Sequence, residues 1–214
     1  MSVIILTANL GGFDTPVDPV EQTVAADFRR FTDENFPPIT GLTPRLQYRI
    51  PKTHAWQMVP DYDYYIWLDG SASFQREDCV RWFLNQLGNG DIAFFKHPHR
   101  GTIKQEVEYI EEHLEQKKPY ITSRYNGGLH REFLTAIQRE GYPDHTLYAS
   151  TAFIYRNTPR VQRALANWWG QGSRWFTCDQ VQLPYILWRD KLDVRVLDEP
   201  LYEAEHLTLG NHLK

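Results

Sequence analysis

Tyr64-Tyr65-Ile66-Trp67-Leu68-Asp69-Gly70-Ser71 decides how the rest of the chain is read. Its first five residues are aromatic or apolar throughout, without the alternation of a strand wet on one face. They predict a strand buried on both sides of a sheet. The run stops at a carboxylate and a glycine, so Asp69 is set at the sheet edge, where its oxygens suit a hard divalent cation or another ligand. Asp-Gly is equally a common turn pair. Val3-Ile4-Ile5-Leu6 repeats the pattern and runs into Thr7-Ala8-Asn9-Leu10-Gly11-Gly12-Phe13-Asp14. The two glycines there permit close approach of backbone to a ligand, or make a plain turn. Ile92-Ala93-Phe94-Phe95 is a third such strand and delivers Lys96-His97-Pro98-His99-Arg100 into a loop.

Helical patterns lie between and after these strands. Val80, Phe83, Leu84 and Leu87 mark a helix over residues 77–87, and two more are expected at 103–117 and 128–140, the latter stopped by Gly141 and Pro143. The final third reads as a strand at 147–155, helices at 159–169 and 179–188, and a short strand at 194–197. Residues 18–36 favour a helical stretch followed by a short strand, although 26–33 reads equally well as strand. Residues 37–60 carry Pro37, Pro38, Pro44, Pro51 and Pro60, and read as a long connection with room for one short strand at 46–50. Alternating strands and helices predict an α/β sandwich whose mostly parallel central sheet is flanked by helices, as a single domain over residues 1–214. Ligands of such sheets sit outside the carboxyl ends of the strands.

Composition narrows the function. A formal net charge of −4 argues against a general nucleic-acid binder, which needs a basic surface to displace counterions. The 2 cysteines, Cys79 and Cys178, give neither a disulfide framework nor zinc-ribbon spacing, and suit a reduced, cytoplasmic setting. No apolar run is long enough for a membrane span, and no signal peptide is expected at Met1. Aromatic residues reach 14%, an excess that has to occupy a core, a cleft or an interface. Trp168, Trp169, Trp175 and Phe176 gather ahead of Asp179 around a predicted glycine turn at Gly170 and Gly172, and some of the four are expected to line the acceptor side of a cleft.

Several residues carry potential chemistry. Lys96, His97, His99 and Arg100 make a positive loop suited to phosphate, or a solvated basic loop. Glu106, Glu108, Glu111, Glu112 and Glu115 crowd one helix, mostly as a solvated face. Thr177 reads as an N-cap, which puts Asp179 in the first turn of a helix. Asp179 then serves as a capping charge or, in a cleft, as a base or a partner for a sugar hydroxyl. No nucleophile elbow and no Walker-type loop occurs.

Taken together, these segments resemble the glycosyltransferase-like family first known as a domain of unknown function and named for plant turgor-regulation and mucilage proteins, with bacterial and viral members. The resemblance runs through residues 6–14, Phe31-Thr32-Asp33, Arg49 and Lys52, and most specifically residues 65–71. It continues through residues 95–100 with Glu106, Trp168-Trp169 and Asp179-Gln180. It implies a GT-A-like, Rossmann-type sandwich that binds a nucleotide-diphosphate sugar, most often a UDP-sugar, with Mn²⁺ or Mg²⁺. Carried over, Thr7, Asn9, Gly11, Gly12, Asp14 and Asp33 lie by the nucleotide. Lys52, Ser71, Lys96, His97 and Arg100 contact the donor, and Asp179 with Gln180 sits near the transferred sugar. Asp69 takes the place of the metal-binding carboxylate motif, and His206 with Gly210 and Lys214 resembles a late His-x-x-x-Gly ending that supplies a metal ligand and a phosphate contact. Two departures stand out. The paired-aspartate metal motif is reduced to Asp69-Gly70-Ser71, and Cys178 stands where the family often has Arg.

The expectation is therefore a divalent-metal-dependent glycosyltransferase that moves a sugar to a glycan, lipid or protein acceptor. The alternative is a catalytically silent module that binds a glycan or sugar nucleotide on the same scaffold, favoured by the missing second carboxylate. A nucleotidyltransferase needs a phosphate-gripping loop richer in Gly and Arg than Leu10-Gly11-Gly12.

Overall fold

A computed structural model describes residues 1–210. In chain order its elements are β1 (Val3–Asn9), β2 (Asp27–Thr32), α1 (Pro44–Met58), β3 (Tyr64–Asp69), β4 (Ala72–Ser73), α2 (Cys79–Leu87), β5 (Ile92–Lys96) and α3 (Ile103–Glu115). There follow α4 (Pro119–Tyr125), α5 (His130–Arg139), β6 (Tyr148–Arg156), α6 (Pro159–Trp175), α7 (Asp179–Arg189), β7 (Val194–Val196) and β8 (Thr208–Leu209).

Six strands form one sheet in the order β2-β1-β3-β6-β5-β7, with helices on both faces. The pairings β1–β2, β1–β3 and β5–β7 are parallel, and β6 runs antiparallel to both its neighbours. The mostly parallel mixed α/β sheet expected from the sequence is present. The continuous apolar runs are explained by side chains that alternate between two buried faces. Ile4, Leu6, Tyr65, Trp67, Phe94, Phe153 and Tyr155 point into the layer of α1 and α3 to α7. Ile5, Ile66, Leu68, Phe95 and Ile154 point into a second layer with Phe74, Val80 and Phe83, which α2 covers.

Two features of the sheet shape one of its ends. The register of β5 against β6 shifts from Phe94↔Phe153 to Phe95↔Ala149, so residues 150–152 of β6 bulge away from β5. Such a bulge re-aims side chains, and it leaves Ser150 beside the end of β3. A small antiparallel pair, β4 with β8, then returns the chain to the same place, where the Gly210 amide donates to the Ser71 carbonyl at 2.7 Å.

The structure corrects several expectations. Residues 18–26 form no helix. The amides of Val20 and Thr23 donate instead to the carbonyls of Phe74 and Glu77, and β2 is the strand reading of residues 26–33. The proline-rich connection contains α1, a 15-residue helix. Pro44 occupies its first turn, where a missing amide costs nothing, and the Thr43 hydroxyl caps the Leu46 amide at 3.2 Å. Pro51 sits inside the helix, and the backbone departs from helical geometry at His54. Helix α6 runs straight through Gly170 and Gly172, so the predicted glycine turn does not exist. Gly172 instead admits the Arg49 guanidinium and the Gln182 amide, which an added methyl would meet at 3.1 and 3.3 Å. Cys178, not Thr177, precedes the first residue of α7, and its side chain caps nothing.

Candidate functional site

At the carboxyl ends of β1 and β3 the sheet opens into a cleft of about 740 Å³. Its walls come from the loop after β1, the start of α1, the turn after β3, the loop after β5, α4, the bulge of β6 and the start of α7.

Lys52 organises the floor. Its side chain is 0% exposed, and its ammonium lies 3.0 Å from Asp69 Oδ1 and 2.9 Å from Asp179 Oδ2. It also donates to Tyr48 Oη at 2.9 Å and Ser150 Oγ at 3.2 Å. Asp69 Oδ1 further accepts from Tyr48 Oη at 2.9 Å and from Trp67 Nε1 at 2.7 Å. Asp179 Oδ2 accepts from Ser150 Oγ at 3.0 Å, and the Asp179 carbonyl from Trp168 Nε1 at 2.8 Å. The two carboxylates keep 25% and 15% of their side-chain surface. Of the other oxygens, Asp179 Oδ1 accepts the Cys178 thiol at 3.7 Å, and Asp69 Oδ2 takes no donor among the described residues.

Electrostatics divide the two acids. Burial alone would lower the Lys52 pKa, but Asp179 and Asp69 outweigh it and hold the ammonium well above the usual lysine range. Burial alone would raise Asp179, yet Lys52, Arg49 and Arg45 hold it well below the usual carboxylate range. Asp69 lies on the other side: burial pushes its pKa up, Lys52 opposes this, and the charge of Asp179 adds to the rise. Asp179 is thus a persistent anion and Asp69 the better proton acceptor of the pair.

The rest of the cleft mixes cations with rings. Arg45 donates to the Arg124 carbonyl at 2.7 Å and lies 4.0 Å over the Tyr125 ring. Arg124 lies 4.0 Å over Tyr120 and 5.6 Å from Phe13. Arg49 donates to the Thr177 carbonyl at 2.8 Å. Arg100 pairs with Glu106, and Gln180 donates to the same carboxylate at 3.2 Å. The His97 Nδ1 accepts the amides of His99 and Arg100 at 3.3 and 3.0 Å. Burial, together with Arg100 and His99, pushes the His97 pKa down to about 4. Cys178 is buried at 1% exposure, and burial with the neighbouring Asp179 charge pushes its thiol up to about 11.

The residues singled out in the sequence divide accordingly. Asn9, Asp14, Asp69, Ser71, His97, Arg100, Asp179 and Gln180 line the cleft, with Lys52 beneath it. Asn9 Nδ2 holds the Asp14 carbonyl at 2.6 Å. Asp33 accepts the Gly11 amide at 2.9 Å and braces the loop after β1 without lining the cleft. Gly11 and Gly12 take positive φ values of 71° and 61° in that loop, outside the lining. Thr7 is buried inside β1, and Lys96 is exposed away from the cleft. Of the expected aromatic wall only Phe176 reaches the cleft. Trp168 is core, edge-on to Phe94 and tilted against Phe153, while Phe13, Tyr48, Tyr109, Tyr120, Tyr125 and Tyr202 supply the other rings that line it. Among the acidic residues of α3, Glu106 alone does so. Tyr48, Arg45, Arg124 and Ser150 were not anticipated.

The described residues gather no ready ligand set for a divalent metal. Asp69 Oδ1 is already surrounded by Lys52, Tyr48 and Trp67. His206 lies outside the cleft lining: its Nδ1 is 2.6 Å from Glu199 Oε1 and its ring stacks 4.7 Å from Trp82. Lys214 falls outside the described residues. Among those described, no group of three His, Cys, Asp or Glu side chains is placed to hold a metal ion.

No family model matches the chain, and no curated protein does. Solved structures resemble it. A glycosyltransferase involved in the glycosylation of the major capsid of PBCV-1 aligns over 92% of this chain and 81% of its own, at 11% identity and a TM-score of 0.47. Mouse xyloside xylosyltransferase 1 aligns over 92% and 84%, at 11% identity and 0.45. The bifunctional glycosyltransferase WbbM aligns over 92% of this chain but 38% of its own, at 12% identity and 0.48. Among the described residues no helix is long and apolar enough to cross a membrane.

Proposed function

We propose that the chain transfers a glycosyl group from a nucleoside-diphosphate sugar, a UDP-sugar first among them, to a hydroxyl of a carbohydrate-bearing acceptor. The observation that carries this reading is the Asp69–Lys52–Asp179 triad on the floor of a cleft walled by arginines and aromatic rings. Rings suit a nucleobase and sugar faces. Cations suit a diphosphate. A fixed anion suits the positive charge that grows on the sugar carbon as its bond to phosphate lengthens.

In the transfer, the C1–O bond to the diphosphate breaks and its electron pair leaves with the phosphate oxygen. An acceptor oxygen forms the new bond to C1. Its proton passes to Asp69 when attack comes from the face opposite the leaving group, or to the departing phosphate oxygen when it comes from the same face. Asp179, held ionised, accepts a sugar hydroxyl and stabilises the charge at C1. The anomeric configuration of the product distinguishes the two routes.

The test is thermal unfolding with a panel of UDP, GDP, ADP and CMP. Binding to the native state alone raises the midpoint. A rise with one nucleotide that is lost in Asp69→Ala supports the reading, and no rise with any of them removes it. Binding without release of nucleotide from any sugar nucleotide would define a binding module instead.

A further inference from the structure

We propose that this cleft holds its donor diphosphate with its own cations and needs no divalent metal. Lys52 supplies at Asp69 the positive charge an ion would bring, and Arg45 and Arg124 meet the phosphates. The proposal rests on the nucleotide-sugar reading above and deepens it.

Asp69 is the carboxylate at the end of the central strand and the residue best placed for a metal. Its Oδ1 already accepts from the Lys52 ammonium, the Tyr48 hydroxyl and the Trp67 indole, all at 2.7–3.0 Å. A cation at Oδ1 has to displace all three, and a cation at Oδ2 sits on the same carboxylate as the fully buried Lys52 ammonium, which repels it. The next position offers no second acid. Gly70 is closed by the end of β1 and the loop after it: a Cβ would meet the Ala8 carbonyl at 2.8 Å and Asp14 Oδ2 at 2.5 Å, and Ser71 follows.

The charge balance points the same way. One ammonium between two carboxylates leaves the triad at net −1, so a diphosphate needs positive charge from elsewhere in the cleft. Arg100 is matched by Glu106. Arg45, Arg49 and Arg124 are not: among the described residues they meet backbone carbonyls and aromatic rings but no carboxylate at ion-pair distance. Arg49 is 5% exposed, and its Nε has no partner among the described residues. Three guanidinium groups with no carboxylate in contact, of which Arg45 and Arg49 act on Asp179 through space, make an anion site of fixed, always-charged donors. Arg45 and Arg124 sit on adjoining walls, tied by the Arg45–Arg124 carbonyl bond, in an arrangement suited to grip two phosphates.

The experiment is calorimetric titration of the purified chain with UDP and, separately, with inorganic pyrophosphate, once in excess EDTA and once in excess Mn²⁺. The expected result is a dissociation constant for each that differs less than about threefold between the two conditions. Arg124→Gln should weaken binding roughly tenfold or more, as loss of a charge-assisted contact does, with an unchanged circular dichroism spectrum. Arg45→Gln is the second variant and should act in the same direction. Binding in Mn²⁺ that disappears in EDTA overturns the proposal and leaves the nucleotide reading standing. Metal-free binding indifferent to both arginine variants overturns the assignment of the phosphate site. Binding of neither ligand in either condition overturns the proposal, and the nucleotide panel above decides whether the nucleotide reading falls with it.

Discussion

The Lys52 ammonium lies 2.9 Å from Asp179 Oδ2, joining the middle of α1 to the first residue of α7 across the floor of the cleft. Lys52 is fully buried, and it is the only cation in direct contact with either floor carboxylate among the described residues. Removing it strands both charges. Lys52→Met should therefore destabilise the fold by about 3–5 kcal/mol, the scale for breaking a buried ion pair from one side. Urea unfolding measures this. A loss below about 1 kcal/mol would mean that water already screens the pair.

Ser150 offers a gentler probe of the same floor. Its hydroxyl donates to Asp179 Oδ2 at 3.0 Å from the bulge in β6. Ser150→Ala should cost about 1 kcal/mol, the net worth of one hydrogen bond, because Lys52 still satisfies the carboxylate. An equal loss in an Asp179→Ala background, which removes the acceptor, would show that the hydroxyl does not act through Asp179.

His97 makes the loop after β5 sensitive to acid. Its Nδ1 accepts two backbone amides and so has to be unprotonated there. Its folded pKa is depressed to about 4 from an ordinary value of 6.5. For a base held neutral in the fold, stability is intact above the unfolded pKa and falls as pH drops from about 6.5 towards 4. The loss reaches up to about 3 kcal/mol from this group alone. Unfolding free energy followed over that range should slope downward, and His97→Asn, which keeps an acceptor without titrating, should flatten the slope. Asp179, with its depressed pKa, adds a loss only below about pH 4, the ordinary carboxylate value.

Gly70→Ala tests the packing of the turn after β3. The added methyl would lie 2.5 Å from Asp14 Oδ2 and 2.8 Å from the Ala8 carbonyl. Relief requires the end of β1 and the loop after it to move, at a cost of about 1–3 kcal/mol. Nucleotide binding should weaken with it, since Asn9, Leu10, Phe13 and Asp14 line the cleft. Unchanged binding together with unchanged stability would show that this loop yields freely.

Much of this was legible in the residues. The unbroken run from Tyr64 to Leu68 announced a strand buried on both faces, and the Asp69 that ends it is the end of β3. Asp179 was readable as the start of a helix, though not the lysine that fixes its charge state. The region of α1 was misread because its prolines dominate a local reading. Pro44 is harmless in a first turn, and tertiary packing tolerates Pro51. Yet Arg45, Tyr48, Arg49 and Lys52 already carried the three- and four-residue spacing of one helical face. That face is polar, so a search for apolar periodicity passed over it. Ser150 gave no signal at all, because its position depends on a register shift between β5 and β6. The tryptophans near Asp179 misled for a related reason: Trp168 donates its indole N–H to the Asp179 carbonyl while its ring belongs to the core.

The most direct test of the central claim is release of nucleoside diphosphate from a panel of sugar nucleotides, followed by chromatography for the unmodified chain and for Asp179→Asn. The account predicts release from one donor, UDP-linked first, and a fall of at least about a hundredfold in Asp179→Asn, the scale of losing one electrostatic contact to the transition state, with the fold retained by circular dichroism. Equal release by the variant, or no release and no binding with any donor, would contradict it.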